Sequence, residues 1–281
     1  MISVVWIILS WVAGAYALVG VLLWAFQERI VFQPPLIRSR APLDGVQKIE
    51  FPAADGTMLF AYVLGTPRKD RRLILAFHGN AEIASWGLPW ATELSRRFGA
   101  PVMLAEYRGY DGTAGAPSYA AVQADAAVTM ATAAEHFRCS AADVVLFGHS
   151  LGSAIAAELG SSHGCAALVL SAPFSSARDM AVRWPIPGLR FAWSILSRVR
   201  YDTVARVRDI DAPVHVVHGD RDLVVPLWMG RRVYENARRK GEMLTVIGAG
   251  HNDIVEVASE SYWRWLEGAV GRDVGRSALG A

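Results

Sequence analysis

A serine between two glycines, at the junction of an apolar strand-like run and a helical stretch, is the feature that most constrains this chain. The run Gly-His-Ser-Leu-Gly occupies residues 148–152, directly after the apolar residues 144–147. A serine hydroxyl is a weak nucleophile unless it is held at an exposed point beside a base, and a sharp strand-to-helix turn holds it there. Side chains at the two flanking positions would obstruct such a turn, so glycine fits both. The pattern predicts a nucleophile elbow with Ser150 as the nucleophile.

Candidate partners for Ser150 follow it in the order acid, then histidine. Asp222 closes the run His-Gly-Asp-Arg-Asp, and His251 stands in the later run Gly-His-Asn-Asp. Both come just after apolar strand-like runs, and parallel sheets build their sites at the carboxyl ends of the strands. We therefore expect His251 to take the Ser150 proton, while Asp222 fixes the imidazole tautomer.

Neighbouring residues in these motifs are the alternatives. Asp220 is the other acid, but the acid four residues after the histidine is Asp222, so we expect Asp220 to bond within its own turn. His78 ends another apolar run and is expected to shape its loop rather than act as a second base. His149 is expected to point away from the nucleophile, and His218 to have a structural role.

These motifs resemble those of the α/β-hydrolase superfamily. Within it, the chain is similar to single-pass, membrane-anchored serine hydrolases related to acyl-protein thioesterases and monoacylglycerol lipases. The similarity covers roughly residues 45–270 and departs from the family where Asp111 stands in place of a common glycine. The matching stretches are His-Gly-Asn-Ala-Glu at 78–82, Tyr-Arg-Gly-Tyr at 107–110, the serine, acid and histidine motifs, and the Val-Pro pair at 225–226.

The resemblance implies an oxyanion hole made of two backbone N–H groups. In this fold, one comes from the residue after the nucleophile and the other from the loop after the third strand. In this chain these residues are Leu151 and Asn80. The glycine at position 79 permits close approach of the backbone.

Alternating strand and helix patterns from residue 73 onward predict a mostly parallel central sheet with helices on both faces, which is an α/β-hydrolase fold. An antiparallel hairpin of residues 47–51 and 58–64 precedes them. The predicted parallel strands are 73–77, 102–106, 144–147, 167–171, 214–217 and 244–247. The predicted helices are 83–98, 119–137, 153–163, 228–240 and 259–270.

The N-terminal segment predicts a transmembrane helix. Residues 2–26 carry no charge, and Trp6, Trp11, Tyr16 and Trp24 are set among aliphatic residues. About 25 residues of helix exceed the roughly 30 Å hydrocarbon thickness, so we assign residues 1–27 to a single-pass anchor. A cleaved signal peptide is the alternative, because Ala-Tyr-Ala at 15–17 resembles a cleavage site. The apolar run continues past that site and no Lys or Arg precedes the run, and both features favour an anchor over a signal peptide. The segment is apolar on every face, which disfavours a buried core helix.

Basic residues follow this segment and none precedes it. Arg29, Arg38 and Arg40 come after the apolar run. By the positive-inside rule, this bias places the catalytic domain on the cytoplasmic side of the membrane.

The rest of the chain divides into a linker (28–44), the hydrolase domain (45–271) and a short flexible tail (272–281). A cap at about 174–206 is rich in apolar and aromatic residues interspersed with arginines. Either it is a lid, with Trp184, Phe191 and Trp193 lining an acyl pocket, or it is a helix pair that packs on the core.

Composition narrows the set of ligands. The net charge of +2, without a basic patch interleaved with aromatic residues, gives no reason to expect nucleic acid. The two cysteines, Cys139 and Cys165, and the scattered histidines match no metal-site spacing. We expect no metal and no cofactor.

The combined pattern predicts a serine hydrolase that cleaves carboxylic esters or thioesters of apolar acyl groups through an acyl-enzyme. Its expected partners are a small-molecule or lipid acyl substrate and the lipid bilayer. A peptidase or amidase using the same triad is an alternative, since fold alone does not fix the substrate. A non-catalytic scaffold is another, although no triad member is missing.

Overall fold

The structure is a computed structural model that describes residues 2–39, 45–66, 71–181, 193 and 195–271. It begins with one long helix, α1 (Ile2–Val31), which is apolar enough to cross a membrane, with a mean hydropathy of 2.1. The helix extends to Val31 rather than ending at the predicted anchor boundary of residue 27. Its last turn continues because it packs on the hydrolase domain, where Gln27 and Phe32 are buried.

In the described part of the chain, one sheet lies at the centre of the fold. Its strands are β1 (Gln47–Pro52), β2 (Met58–Leu64), β3 (Leu73–Phe77), β4 (Val102–Ala105), β5 (Val144–His149), β6 (Ala167–Ser171), β7 (Val214–Gly219) and β8 (Lys240–Val246). They lie in the order β1-β2-β4-β3-β5-β6-β7-β8. Strands β1 and β2 form the predicted antiparallel hairpin, β2 is antiparallel to β4, and the remaining neighbours are parallel.

Helices cover both faces of this sheet. They are α2 (Leu88–Phe98), α3 (Tyr119–Phe137), α4 (Leu151–His163), α5 (Ala177–Ala181), α6 (Thr203–Asp209), α7 (Leu227–Asn236), α8 (Ile254–Ala258) and α9 (Glu260–Val270). On β3, Leu73, Leu75 and Phe77 pack in the same core cluster as α3, α4, α6 and α7. The alternate residues, Ile74 and Ala76, pack in a second cluster with α2 and α9. The predicted α/β-hydrolase fold is confirmed.

Element boundaries differ from the prediction where tertiary pairing outweighs local pattern. The predicted helix 228–240 ends at Asn236, and β8 begins at Lys240, which pairs with Val214 of β7. Pairing with a buried neighbouring strand decides the conformation of residues 240–243, because strand preference depends strongly on context.

The predicted cap is described only at its two ends. Residues 174–181 include α5, and α6 begins at Thr203. Trp184 and Phe191 lie outside the described residues, as does the tail 272–281.

Candidate active site

Ser150 stands at the turn between β5 and α4 in a strained backbone conformation. Its φ of 50° and ψ of −113° lie outside the regions that residues with a side chain favour. The turn is held by a hydrogen bond from the Ser150 N–H to the carbonyl of Ser171, at 2.9 Å. The backbone N–H and hydroxyl of Ser153 both donate to the Ser150 carbonyl. Such local strain persists only where the surrounding structure enforces it, and it is concentrated at functional sites.

The two flanking glycines are required by close backbone approach. A Cβ on Gly148 would lie 2.2 Å from the carbonyl oxygen of Gly152. A Cβ on Gly152 would lie 2.1 Å from the carbonyl oxygen of Phe77, at the end of β3. The start of α4 is therefore pressed against β3, which fixes the position of the serine.

His251 joins Ser150 to Asp222. Its Nε2 lies 2.9 Å from Ser150 Oγ, and its Nδ1 lies 2.6 Å from Asp222 Oδ2. A carboxylate only accepts hydrogen bonds, so Nδ1 carries the hydrogen, and Nε2 of the neutral ring accepts from the serine hydroxyl. The three residues follow β5, β7 and β8 at the carboxyl edge of the sheet. The structure thus brings together the three residues that the sequence predicted as a triad.

The Asp222 carboxylate is buried and held by several donors. Its Oδ1 accepts hydrogen bonds from the backbone N–H groups of Val224 and Val225, at 2.8 and 2.7 Å. Burial by itself raises its pKa, but hydrogen bonds from His218 and His251 outweigh burial and hold the pKa well below its usual range. Asp222 is therefore a carboxylate at neutral pH.

Asp220 has a different partner. Its Oδ1 accepts from the backbone N–H of Gly248 at 2.6 Å, in the loop that follows β8. The expected bond within its own turn is thus replaced by a bond between the two loops that carry Asp222 and His251.

The neighbouring histidines stand around the triad. Nε2 of the buried His218 lies 2.8 Å from the carbonyl of Val225 and 3.3 Å from Asp222 Oδ2. His218 therefore contacts the acid of the triad and helps to hold it in place. The ring centre of His149 lies 5.1 Å from that of His251. Burial lowers the pKa of His149, which favours its neutral form and limits the positive charge beside the imidazole.

His78 is part of a buried ion pair. Its Nε2 lies 2.8 Å from Glu106 Oε1, and its Nδ1 lies 2.8 Å from the carbonyl of Gly79. Since both partners are acceptors, both ring nitrogens carry hydrogen. Burial opposes the charged ring, but the charge and the hydrogen bond of Glu106 outweigh it and raise the pKa of His78. Both ring nitrogens are occupied away from Ser150, so His78 shapes the loop that leads to Asn80.

A cavity of about 230 Å³ lies beside Ser150. Asn80 and Leu151, the predicted oxyanion residues, line it together with Trp193 of the predicted acyl pocket. Leu151 opens α4, where backbone N–H groups have no acceptor within the helix. The remaining lining residues are apolar: Leu23, Ile30, Val31, Phe174, Ala177, Met180, Ala181, Tyr201, Val224 and Val225.

The end of α1 is a part of this site that the sequence did not predict. Leu23, Ile30 and Val31 line the cavity. The side chain of Asn80 donates to the Val31 carbonyl at 2.7 Å and accepts from the Gln33 N–H at 2.9 Å. One signal was present in the sequence: the apolar run resumes at residues 30–32 after three polar residues, which is unusual for a solvated linker.

No group of three or more His, Cys, Asp and Glu side chains is placed to hold a metal ion within the ranges that the structure describes. The site itself presents a hydroxyl, an imidazole and a carboxylate in contact, at the wall of an apolar cavity.

Comparison with known proteins assigns the chain to a superfamily. A family model described as serine aminopeptidase, S33, matches residues 68–202. The uncharacterized protein Rv2307c of Mycobacterium tuberculosis is 30% identical over 239 residues, which cover 82% of each chain. The alpha/beta hydrolase domain-containing protein 17C of Xenopus tropicalis is 27% identical over 82% of this chain and 70% of its own length.

The chain belongs to the α/β-hydrolase superfamily. Solved structures agree with this α/β-hydrolase fold. An esterase of Pyrococcus furiosus superposes with a TM-score of 0.65 at 17% identity, covering 86% of this chain and 98% of its own. An acetyl xylan esterase from Paenibacillus superposes with a TM-score of 0.62 at 16% identity, covering 88% of this chain and 93% of its own. At these identities the likeness is one of fold.

Proposed function

We propose that this α/β-hydrolase is a membrane-anchored serine hydrolase that cleaves carboxylic esters or thioesters of apolar acyl groups through an acyl-enzyme. The observation that carries the proposal is the unbroken series of contacts from Asp222 through His251 to Ser150, at the wall of an apolar cavity.

Acylation begins at the hydroxyl of Ser150. His251 Nε2 takes its proton as Oγ attacks the acyl carbon, and the resulting imidazolium is stabilised by the buried carboxylate of Asp222. Collapse of the tetrahedral intermediate breaks the bond to the leaving alcohol or thiol, which receives the proton from His251. The acyl group is then joined to Ser150 as an ester.

Deacylation repeats these steps with water. His251 takes a proton from a water molecule, which attacks the acyl carbon, and then returns a proton to Ser150 Oγ as the carboxylic acid leaves. In both halves the negative oxygen of the intermediate is stabilised by the backbone N–H groups of Leu151 and Asn80, which line the cavity beside the nucleophile.

The cavity selects the acyl group by its apolar wall. The described lining residues have few polar side-chain groups: those of Asn80 and Ser150, the Tyr201 hydroxyl and the Trp193 indole N–H. An aliphatic chain loses contact with water there, which is favourable at about 25 cal/mol per Å² of apolar surface buried. Trp193 belongs to this wall, and Trp184 and Phe191 remain predicted members of it.

The anchor is the second part of the proposal. Helix α1 presents exposed apolar side chains along most of its length, and a bilayer would cover them. Arg29, in the last turn of α1, and Arg38, after the helix, favour a cytoplasmic catalytic domain.

An aminopeptidase is the competing function, because the matching family model carries that description. Such an enzyme must hold the ammonium group of its substrate, usually against a carboxylate. No charged side chain lines the cavity among the residues that the structure describes there, and this favours the ester or thioester over the aminoacyl substrate.

The test is covalent labelling followed by a substrate panel. A fluorophosphonate should label the full-length protein, and Ser150→Ala should abolish labelling and lower hydrolysis by roughly 10⁴- to 10⁶-fold. Ser161→Ala, on the same helix, is the control and should change neither. If the protein hydrolyses an aminoacyl amide faster than a fatty acyl ester or a fatty acyl thioester, its function is that of an aminopeptidase. If the wild type is not labelled, the remaining interpretation is a non-catalytic scaffold.

A further inference from the structure

One face of the end of α1 is turned toward the hydrolase domain. Leu23 and Ile30 lie two helical turns apart, with Gln27 between them on the same side. Leu23, Ile30 and Val31 line the cavity beside Ser150, and Gln27 is only 1% exposed. The helix that is apolar enough to cross a membrane therefore ends as a wall of the active site.

Gln27 fixes this end of the helix to the second half of the predicted cap. Its Oε1 accepts hydrogen bonds from the Arg198 N–H and the Ser197 hydroxyl, at 2.5 and 3.2 Å. Its Nε2 donates to the carbonyls of Trp24 and Leu196, at 2.9 and 3.4 Å. A buried amide with both ends paired specifies one docking geometry, because any shift would leave polar groups unpaired.

Two further bonds hold the same end of the helix. Glu28 Oε2 accepts from the backbone N–H of Tyr119 at 3.0 Å, at the start of α3. Asn80 bonds the Val31 carbonyl in the loop after β3. The end of α1 is thus joined to three separate parts of the hydrolase domain.

The length of α1 places this contact at the membrane surface. Residues 2–22 rise about 30 Å at 1.5 Å per residue, which matches the hydrocarbon thickness of roughly 30 Å. Residues 23–31 then lie outside the hydrocarbon region, where they contact the hydrolase domain. The Arg198 guanidinium lies 4.9 Å from the ring centre of Trp24. Tryptophan and arginine side chains of this kind are typical of the membrane–water interface.

The segments around the cavity also carry exposed apolar side chains. Leu223 is 84% exposed and Val224, a lining residue, is 52% exposed. Ile195, two residues after the lining residue Trp193, is 62% exposed. Clustered exposed apolar groups beside a membrane helix are typical of a surface that inserts into the interface.

We propose that the acyl chain of a bilayer-resident ester or thioester enters the cavity directly from the membrane along α1, and that Leu23, Ile30 and Val31 determine which chains fit. This inference rests on the proposed hydrolase function and goes further by naming the source of the substrate and the residues that select it. The occupant is an aliphatic chain, because the three α1 residues present only hydrocarbon to the cavity.

The first experiment changes the wall of the cavity in the full-length protein reconstituted into phosphatidylcholine vesicles. Ile30→Trp fills part of the cavity, whereas Val21→Trp adds the same bulk at a position on α1 outside the cavity lining. With p-nitrophenyl dodecanoate, Ile30→Trp should lower kcat/KM by tenfold or more, a loss expected when a few methylene contacts are lost. With p-nitrophenyl acetate, whose short chain makes fewer contacts with the cavity wall, the loss in kcat/KM should be smaller, so that the ratio of dodecanoate to acetate hydrolysis falls, and Val21→Trp should leave both rates unchanged.

Fluorophosphonate labelling of Ser150 is measured on every variant, so that loss of catalysis is distinguished from loss of chain selection. If Ile30→Trp fails to label, Ile30→Ala becomes the test of chain selection. Its wider cavity should raise the ratio of dodecanoate turnover to acetate turnover. An unchanged ratio in a labelled Ile30 variant overturns the inference but leaves the hydrolase function standing. A wild type that neither labels nor cleaves acetate overturns the function itself.

The second experiment tests entry from the membrane. A lipophilic fatty acyl ester is diluted into the vesicles at constant bulk concentration by adding phosphatidylcholine. If the chain enters from the bilayer, the initial rate of the wild type should fall in proportion to the mole fraction of the ester in the membrane. A rate that follows the bulk concentration alone overturns entry along α1.

Discussion

Asn80 Oδ1 accepts a hydrogen bond from the backbone N–H of Gln33 at 2.9 Å, which joins the loop after β3 to the residues that follow α1. The same oxygen accepts from the Tyr110 hydroxyl, also at 2.9 Å. The backbone N–H of Asn80 is one of the two proposed oxyanion donors, so its side chain and its backbone serve different purposes. The side chain holds the end of α1 against the loop that supplies this proposed donor.

Asn80→Ala keeps the backbone N–H and removes these side-chain bonds. It leaves the half-buried Val31 carbonyl without its present partner, and a polar group left unpaired away from water costs about 1–3 kcal/mol. We expect the free energy of unfolding to fall by that amount, and kcat to fall with it as the loop loses its fixed position. Chemical denaturation and ester hydrolysis measure the two effects. Asn236→Ala, which removes side-chain hydrogen bonds at the protein surface, is the control, and equal stability of the two variants would contradict the prediction.

The two acids of the His-Gly-Asp-Arg-Asp motif should differ strongly in their effect on catalysis. Asp222→Asn removes the charge that stabilises the His251 imidazolium and fixes its tautomer, so we expect turnover to fall by about 10⁴-fold. Asp220→Asn keeps an oxygen that can accept from the Gly248 N–H, and turnover should stay within about threefold of the wild type, since the triad itself is untouched. Steady-state kinetics on p-nitrophenyl acetate compares them. If Asp220→Asn were the slower variant, the role of the acid would pass to Asp220.

The triad was predictable because each of its members follows a strand that the local pattern already marks. Ser150, Asp222 and His251 stand after β5, β7 and β8, and parallel strands align their carboxyl ends at one edge. Glycines at 148 and 152 gave an additional local signal, since each is required by a backbone contact within the elbow or with β3. Local patterns of this kind carry information about sites that a regular sheet assembles.

The docking of α1 was not predictable in the same way. Gln27 bonds with residues 197–199 of the chain, about 170 residues away, and no local pattern records such a pairing. Local composition therefore predicts an anchor that ends at residue 27 and a linker at residues 28–44. In the structure, residues 28–31 are helical and contact the domain, because buried tertiary bonds outweigh the polar composition of Gln27, Glu28 and Arg29.

Gly152→Ala should damage the elbow far more than another glycine substitution on the same helix. The added Cβ would lie 2.1 Å from the Phe77 carbonyl oxygen, which is backbone and cannot move without displacing β3. We expect the free energy of unfolding to fall by about 1–3 kcal/mol or more, together with loss of fluorophosphonate labelling. Gly160→Ala is the matched control, because its Cβ would meet only side-chain atoms, at 3.3 Å or more. Similar melting temperatures and labelling in the two variants would contradict this account of the elbow.

The buried pair of His78 and Glu106 gives the fold a dependence on pH. Since the pKa of His78 is raised in the folded state, its contribution to stability is fully present below the unfolded value of about 6.5 and is lost as pH rises through the folded pKa. The difference in unfolding free energy between the wild type and His78→Asn should therefore be largest near pH 6 and shrink at alkaline pH. Denaturant unfolding across this range measures it, with His163→Asn, at an exposed position, as the control. A difference that grows with pH would contradict the ion pair.

Two N-terminal deletions should have different effects, because α1 serves two purposes along its length. Deletion through Leu22 removes the part that can span the bilayer but keeps Gln27, Ile30 and Val31 in place on the domain. We expect this protein to leave the membrane fraction while still cleaving p-nitrophenyl acetate, with weaker hydrolysis of ester held in vesicles because tethering no longer raises its local concentration.

Deletion through Phe32 also removes the docked turn and a buried aromatic side chain. It leaves the backbone N–H of Arg198 and the Nδ2 group of Asn80 without their present partners and opens the cavity beside Ser150. Loss of a buried Phe alone costs about 3–5 kcal/mol, a large share of the 5–15 kcal/mol that stabilises a typical domain. We therefore expect a lower melting temperature and reduced fluorophosphonate labelling than in the deletion through Leu22. Equal melting temperature, labelling and acetate hydrolysis in the two proteins would show that residues 23–32 are a linker after all, and that the hydrolase domain is complete without them.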